Sequence, residues 1–190
     1  MQAFIDPPRK IPFFLRFGIW ISTKVTGKDL LPARILAWYP KAAVGSGMLE
    51  ALVAHRDGKL DERILKIVRI RASYAASCDF CIDMNTYHYD ETGISEEEML
   101  VLRGLKPLSE VTTFSKRESL AIQYANLISQ TPLKFSIDFI EELKKYFNER
   151  EIVILASTAA QVNYWARLIQ ALGIPPAGFN ENNKQNPLSQ

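Results

Sequence analysis

Apolar residues recur with a helical period along most of the chain, and turn residues separate the segments that carry them. In residues 61–76 the apolar positions lie on one face of a 3.6-residue repeat, at Ile64, Ile67, Val68, Ala72 and Ala75. No stretch shows the sustained alternation, with hairpin turns, that predicts strands. The pattern therefore predicts an all-α domain of about seven or eight helices.

Cap signals set the predicted helix ends. Ser95 with Glu98 and Ser115 with Glu118 have the spacing of capping boxes, and Asn148 with Glu151 is a weaker version. Together with the periodicity these signals predict helices at Ala33–Tyr39, Lys41–His55, Asp61–Ala76, Glu96–Arg103, Lys116–Ser129, Ile137–Phe147 and Glu149–Leu172. Glycines at the helix C-terminal position C′ are expected at Gly93, Gly104 and Gly173.

The two ends of the chain differ from its middle. An apolar run at Ile11–Ile21 is shorter than the roughly 20 residues that span a bilayer, and it lacks the features of a signal peptide. We expect no membrane span here but a helix that packs on the core or on another subunit, with an interfacial membrane helix as the alternative. The predicted organisation is an N-terminal helical extension (1–58), a core (59–174) and a polar tail (175–190) that is loose or reaches a neighbouring subunit.

Composition narrows the function classes. The 190 residues are 47% hydrophobic, which suits one domain with a sizeable core and excludes general disorder. The 23 Lys and Arg residues nearly balance 21 Asp and Glu residues, so the charge predicts no nucleic-acid partner. Two cysteines are too few for a disulfide-stapled secreted scaffold, and their scarcity favours the cytoplasm.

Both cysteines lie in one motif, Cys78-Asp79-Phe80-Cys81. A helix that starts near Cys78 would place the two thiols one turn apart on the same face, close enough for a disulfide. The positive end of a helix dipole stabilises a thiolate, and this argument alone favours Cys78 as the reactive thiol. Such a pair can attack a peroxide or a disulfide and then close on itself.

Polar residues extend this candidate site. Asn85 and His88 would follow Cys81 on the same face if the helix continues, and the preceding helix carries a polar stripe at Glu62, Lys66, Arg69 and Ser73. Lys66 would lower the pKa of a thiol that it approaches. The plainer interpretations are two buried cysteines that pack as small apolar residues, a solvated His88, and a surface ion pair between Glu62 and Lys66.

The residue inventory predicts neither metal nor cofactor. A closed zinc site needs four ligands, and His55 and His88 are the only Cys or His residues outside the CxxC motif. Attachment of haem c is excluded because Ile82 follows Cys81 where a histidine is required.

The run LDERILKIVRIRASYAASCDFCIDMN (60–85) resembles the carboxymuconolactone decarboxylase-like family, in particular its alkylhydroperoxidase D branch. FSKRESLAIQYANLISQTP and NEREIVILASTAAQVNYWARLIQALGI resemble the family's later helices, so the resemblance covers residues 59–174. It implies an all-α, oligomer-forming fold, as trimer, hexamer or dimer, and reduction of hydroperoxides. It also implies that Cys81 attacks the peroxide, that Cys78 is its disulfide partner, and that a thiol or disulfide protein donates the electrons.

The resemblance fails at the family's proton relay. Lys66 and Asn85 stand where the family has a glutamate and a histidine, and neither acts as a general base in its usual state. Three outcomes follow. Glu62 and His88 replace the missing pair, or Lys66 activates the thiolate by its charge alone, or the peroxidase chemistry is weak or lost.

The function predicted is therefore that of an antioxidant CxxC peroxidase or a disulfide oxidoreductase with an altered relay. One alternative is a non-catalytic binding or redox-sensing oligomer, with an apolar cavity lined by Phe80, Met84, Tyr87 or Trp165. The other is a cofactor-free lyase, as in the decarboxylase branch, whose members do not rely on a CxxC motif.

Overall fold

The computed structural model describes residues 2–53 and 60–180. The N-terminal region contains α1 (Phe13–Thr26), α2 (Leu31–Ile35), a 3-10 turn (Leu36–Trp38) and α3 (Pro40–Val53). The rest contains α4 (Glu62–Ala75), α5 (Asp79–Thr86), α6 (Glu96–Arg103), α7 (Lys116–Ile128), α8 (Ile137–Tyr146) and α9 (Glu149–Ala171), with 3-10 turns at Asp90–Thr92 and Leu108–Glu110. Nine α-helices and no strand element occupy these described ranges, so the all-α prediction is confirmed.

Helix α4 is the centre of the packing, in contact with α5, α6, α7 and α9. One face of α4 enters a core cluster with α7, α8 and α9, through Ile64, Leu65, Val68 and Ala72. A second face, at Ile67 and Ile70, enters a cluster with α6 and α7. The remaining positions carry the polar stripe that the sequence predicts. Seven of the 14 residues of α4 are buried and only Glu62 is exposed, which places this helix inside the domain.

All three predicted capping boxes are present. Ser95 with Glu98 opens α6, Ser115 with Glu118 opens α7, and Asn148 with Glu151 opens α9. In each box the side chain at the N-cap accepts the glutamate N–H, and the glutamate accepts the N–H of the N-cap residue. The left-handed backbone expected at Gly93, Gly104 and Gly173 is also observed.

Arg63 of α4 joins two of these boxes. Its Nη2 lies 2.7 Å from a Glu98 carboxylate oxygen, and its Nε lies 2.5 Å from one of Glu118. Burial alone would raise the pKa of both carboxyls, but hydrogen bonds and the Arg63 charge hold each pKa below the usual 4.5. One guanidinium therefore fixes the N-termini of α6 and α7 to α4.

The N-terminal region packs back on the end of α9. The Phe4 N–H donates to the Leu172 carbonyl at 3.0 Å, and the Phe4 ring lies against Gly173. A Cβ at Gly173 would come within 2.5 Å of that ring, so this position needs glycine both for space and for its φ of +61°. The end of the helix predicted at Lys41–His55 lies outside the described residues.

The start of the tail is not loose, because it packs on its own chain. Phe179 and Asn180 are buried against α5 of their own chain, because their backbone N–H groups find an acceptor in the Asp83 carboxylate. The remainder of the tail, 181–190, lies outside the described residues. Among the helices of the described ranges, none has the length and apolar character to cross a membrane.

We expect Arg63→Ala to lower the free energy of unfolding by about 3 kcal/mol, because two mostly buried carboxylates lose their partner. Urea denaturation at pH 7 would measure it. Arg34→Ala is the control and should change stability by less than about 1 kcal/mol, since its ion pair with Asp29 is exposed. The gap between wild type and Arg63→Ala should narrow as the pH falls below 4.5, because protonated carboxyls no longer need the guanidinium. A constant gap would contradict this account.

Candidate functional site

A tight turn between α4 and α5 positions the CxxC motif. The Cys78 N–H donates to the Ser73 carbonyl at 3.2 Å and the Ser77 N–H to the Tyr74 carbonyl at 3.0 Å, the two bonds of a Schellman motif. Ser77 takes the left-handed position with a φ of +50°, where glycine is usual. Ser77 alone therefore lies between Ala76, the C-cap of α4, and Cys78, the N-cap of α5. Cys78 takes part in both helix ends, because its N–H also closes the turn after α4.

Cys78 is the N-cap of α5, as the sequence predicts. Its Sγ accepts the Cys81 N–H at 3.3 Å, and its own carbonyl accepts the Ile82 N–H at 2.8 Å. Cys78 and Cys81 form a disulfide, with their Cα atoms 5.2 Å apart. The first turn of α5 thus holds both sulfur atoms at the positive end of a helix, where negative charge is stabilised.

The disulfide is buried in an apolar cluster. The relative exposure of Cys78 is 0% and that of Cys81 is 3%. The cluster brings together four parts of the chain, with Ile35 from α2, Phe80 from α5, Ala166 and Ile169 from α9, and Ile174 from the segment after α9. Met84 and Trp165, which the sequence predicts as cavity lining, pack on this cluster, whereas Tyr87 is exposed. Both chain ends therefore enclose the sulfur atoms.

Lys66 lies at the opposite end of α5 from the cysteines. Its Nζ donates to the Tyr87 carbonyl at 2.6 Å, at the C-terminus of the helix, where a cation is favourable. Burial, together with the nearby charge of Arg69, lowers the pKa of Lys66 to about 8. Within the described ranges Lys66 donates no hydrogen bond to a sulfur atom, so its expected role beside a thiol lacks the contact that would support it.

Asn85 is held by α4. Its Nδ2 donates to the Ser73 hydroxyl at 3.0 Å, and that hydroxyl donates to the Arg69 carbonyl at 2.8 Å. The two residues come from the predicted polar stripe and the predicted CxxC helix, so the structure brings those two features together. The chain of bonds ends on a backbone carbonyl and contains no titratable group.

His88 does not continue the stripe of α5. The helix ends at Thr86, and His88 has a left-handed φ of +53° in the following turn. Its Nδ1 pairs with Glu91 at 2.9 Å, and the side chain is 48% exposed. The expectation that Cys81, Asn85 and His88 share one helical face is wrong because the helix is one turn too short.

Glu62 occupies the exposed first turn of α4, far along that helix from Ser73. Eleven residues of helix separate the two, about 16 Å at 1.5 Å per residue. No ion pair joins Glu62 to Lys66 within the described ranges, although its charge raises the pKa of Lys66. Glu62 and His88 therefore lie on different elements, and within the described ranges no shared hydrogen-bond partner links them as a relay.

Two acidic residues at the site were missed by the sequence reasoning. Glu50 of α3 accepts from Gln161 at 2.7 Å and from Trp165 at 3.0 Å, which ties α3 to the helix that covers the disulfide. Asp83 of α5 binds the tail. No local pattern marks either residue, because their partners are about a hundred positions away in the chain. In the ranges described, no group of three potential metal ligands occurs.

Comparison with known proteins agrees with this geometry. Residues 46–116 match the Carboxymuconolactone decarboxylase family. The uncharacterized protein YnjA of Escherichia coli K12 is 25% identical over 175 residues, which cover 92% of this chain and 94% of YnjA. Two solved structures are similar in fold. The apo debrominase Bmp8 has a TM-score of 0.78 at 16% identity, covering 94% of both chains. The alkylhydroperoxidase AhpD core from Ralstonia eutropha JMP134, called a peroxidase-related protein, has a TM-score of 0.74 at 15% identity, covering 93% of both.

Lys66 should make stability depend on alkaline pH. Between pH 8 and 10.5 the unfolded chain keeps the proton on this lysine and the folded chain releases it, so stability rises with pH. Relative to Lys66→Met, the free energy of unfolding of wild type should rise by on the order of 1–3 kcal/mol across this window, as measured by chemical denaturation. Lys24→Met, on the exposed side of α1, controls for the loss of any surface lysine. If the difference in unfolding free energy between wild type and Lys66→Met stayed constant from pH 8 to 10.5, the pKa of Lys66 would be the same in the folded and unfolded chains, which would contradict this prediction.

Proposed function

We propose that this protein is a CxxC thiol-dependent peroxidase of the alkylhydroperoxidase type. The chain's resemblance to the carboxymuconolactone decarboxylase family, together with the match at residues 46–116, supports the proposal. The observation that carries the proposal is the disulfide between Cys78 and Cys81 across the first turn of α5. Two thiols at this spacing form the disulfide without movement of the backbone. In the reduced state they supply the two electrons that reduction of a peroxide requires. The apolar surroundings favour a small organic hydroperoxide as substrate.

The proposed cycle uses the two thiols in order. The Cys81 thiolate attacks the peroxide, the O–O bond breaks, and the alkoxide takes a proton and leaves as an alcohol. The Cys78 thiol then attacks the sulfenic acid on Cys81, which releases water and forms the disulfide. A dithiol donor protein returns two electrons and two protons. Because the cycle needs such a donor, a reducing compartment such as the cytoplasm suits it.

The assignment of Cys81 as the attacking thiol rests on the family resemblance and on one difference in exposure. Cys81 is 3% exposed and Cys78 is fully buried. Cys78 also accepts the Cys81 N–H as the cap of α5, a position suited to a resolving thiol that stays in place. The opposite order, which the helix dipole alone favours, is distinguished by the cysteine variants below.

The thiolate in this proposal is stabilised by the N-terminus of α5 and not by a proton relay. Asn85 bonds to Ser73, Lys66 bonds to the far end of α5, and His88 pairs with Glu91. The protons needed by the alkoxide and the sulfenic acid come from the thiols themselves and from water. The altered relay thus implies slower chemistry than a relay would give, and a dependence on the thiol pKa.

Oxidation of the reduced protein by cumene hydroperoxide tests the proposal. Wild type should lose two thiols and form the Cys78–Cys81 disulfide faster than a free thiol reacts. Cys78→Ser should stop at a Cys81 sulfenic acid that dimedone traps, and Cys81→Ser should react no faster than free thiol.

His88→Ala serves as the matched control and should leave the rate unchanged, because the side chain is exposed and paired with Glu91. If His88 were the general base, its loss would slow the reaction by about 10²–10⁴-fold. Equal inactivity of reduced wild type and Cys81→Ser would contradict the peroxidase function.

A second candidate is reductive removal of halogen, favoured by the fold similarity to Bmp8. A Cys-to-Ala variant of that debrominase, in complex with 2,3,4-tribromopyrrole, has a TM-score of 0.75 to this chain at 16% identity. In a balanced reaction the two thiols of the pair reduce a carbon–bromine bond to carbon–hydrogen and release bromide and a proton. Running the same variants with 2,3,4-tribromopyrrole in place of the peroxide distinguishes the two. Bromide release with no peroxide reduction would favour the debrominase function.

We also propose that the outer face of α1 contacts a second copy of the chain. Phe13, Phe17 and Trp20 recur on one side of the helix and are 84%, 62% and 56% exposed, while Leu15 faces inward at 8%. An aromatic stripe of this kind on a helix surface marks an interaction site. The oligomers implied by the family resemblance supply the partner.

Substitution of this stripe should dissociate the oligomer. We expect the double variant Phe17→Glu/Trp20→Glu to sediment more slowly than wild type, toward the monomer, in sedimentation velocity. The reason is that two charges would be buried in the contact. Lys144→Glu, an exposed charge reversal on α8, is the control and should leave the mass unchanged. A wild-type protein that sediments as a monomer, or a double variant that keeps the wild-type mass, would contradict this interface.

A further inference from the structure

The segment from Ile174 to Asn180, which we call the strap, crosses the CxxC helix and is held to it by a buried carboxylate. Asp83 lies two residues after Cys81 on α5 and is 9% exposed. Its Oδ2 accepts the Phe179 N–H at 3.0 Å, and its Oδ1 accepts the Asn180 N–H at 3.0 Å. A buried carboxylate is stable only where such donors compensate its lost hydration, so the strap and Asp83 depend on each other.

The Asn180 side chain adds a second set of bonds to α5. Its Nδ2 donates to the Asp83 carbonyl at 2.6 Å, to the Asp83 carboxylate at 3.2 Å and to the Thr86 hydroxyl at 3.0 Å. The strap therefore closes on the helix at its backbone and at one side chain. These contacts are polar and specific, unlike the apolar packing around them, and they fix the register of the strap on α5.

The N-terminal region holds the strap from its other side. Lys28, in the loop after α1, donates to the Gly178 carbonyl at 2.7 Å, and its Nζ lies 5.6 Å from the centre of the Phe179 ring. The same ring lies 5.5 Å from that of Tyr87. The strap is thus enclosed between α5 and a loop that precedes α2.

The strap also shares the packing of the sulfur atoms. Ile174 and Ala177 belong to the cluster that contains Cys78 and Cys81, and both cysteines are almost completely inaccessible. A hydroperoxide or a donor thiol must reach these atoms for the proposed cycle to run. Something that covers them must therefore move. Ala3 and Leu30 of the cluster also lie outside helices, but the strap is hydrogen-bonded directly to the helix that carries the cysteines.

We propose that the strap is the access gate of the cysteine pair and that Asp83 is the residue that holds it closed. The inference rests on the proposed redox function, because a structural disulfide needs no access. The strap opens when the bonds to Asp83 and Thr86 break, exposing Cys81 to substrate and the disulfide to its donor. Asp83 is a positioning residue in this scheme and takes no part in the chemistry.

Thiol accessibility tests the gate without any peroxide. The full-length reduced protein is labelled with iodoacetamide at low denaturant, and the rate is divided by the thiolate fraction measured from absorbance at 240 nm. We expect Asn180→Ala, which keeps the Asp83 charge, to speed labelling about tenfold, the effect of losing a buried hydrogen bond to the carboxylate. Asp83→Asn should speed it at least as much, because an amide nitrogen then faces a backbone N–H. Both should also speed reduction of the disulfide by dithiothreitol.

A matched control separates gating from general loss of stability. Asn163→Ala breaks a side-chain bond to Ser129, between α9 and α7, and touches neither α5 nor the strap. It should leave the labelling rate unchanged. Equal acceleration in this control and in Asn180→Ala would overturn the gate, since labelling would then follow global unfolding.

Hydrogen exchange at the Phe179 and Asn180 amides reports whether the strap has been released. Faster exchange at these amides with an unchanged labelling rate would also overturn the gate. The outcomes are independent of the proposed function. If labelling responds as expected but no peroxide is reduced, the gate stands and the peroxidase function fails. If wild type reduces peroxide but labelling does not respond, the function stands and the gate fails.

Discussion

The packing around α4 depends on one half-buried guanidinium that lies between two carboxylates that already cap helices. Glu98 and Glu118 each satisfy an N–H group at a helix start, and Arg63 pairs with both. Because each carboxylate is fixed by its cap, Arg63 meets acceptors that need little ordering when the chain folds. The starts of α6 and α7 are thereby fixed against α4, and the apolar faces of α4 pack against the neighbouring helices. The same device recurs where Arg117 pairs with Glu151 at the start of α9.

This dependence explains how much of the fold the sequence could predict. The three capping boxes and the C′ glycines involve residues a few positions apart, so their patterns were readable, and the helices from α6 to α9 begin at the predicted residues or within one of them. The pairing of Arg63 with two distant glutamates has no local signal. The end of α5 was also missed, since nothing near Thr86 distinguishes a helix that stops from one that continues to His88. Likewise the polar residues of the tail predicted a solvent-exposed segment, whereas the Asp83 carboxylate accepts hydrogen bonds from the backbone of the tail in a buried position.

The candidate site was predictable in its sulfur chemistry and not in its surroundings. Two cysteines at a helix start were evident from spacing, and the structure joins them. The predicted polar residues separate in space because α5 runs back along α4. The C-terminus of α5 therefore lies at Lys66, whereas the cysteines lie at the N-terminus of α5. A relay needs acid and base groups in sequence between substrate and solvent. Here the positions that would form it hold an amide, a lysine bound to a carbonyl, and apolar side chains, so the reactivity of the pair depends on the helix dipole and on burial.

Cys78 illustrates how a reactive residue becomes difficult to replace. Its N–H closes the turn after α4 and its Sγ caps the first turn of α5, so the atom that is oxidised also supports the helix that presents it. An alanine at this position removes a redox group and a helix cap together, and its loss of activity would mix two causes. A serine keeps an acceptor at the cap and removes only the sulfur chemistry. Under the proposed peroxidase function, one atom in this small turn therefore serves both the chemistry and the folding of the helix that presents it.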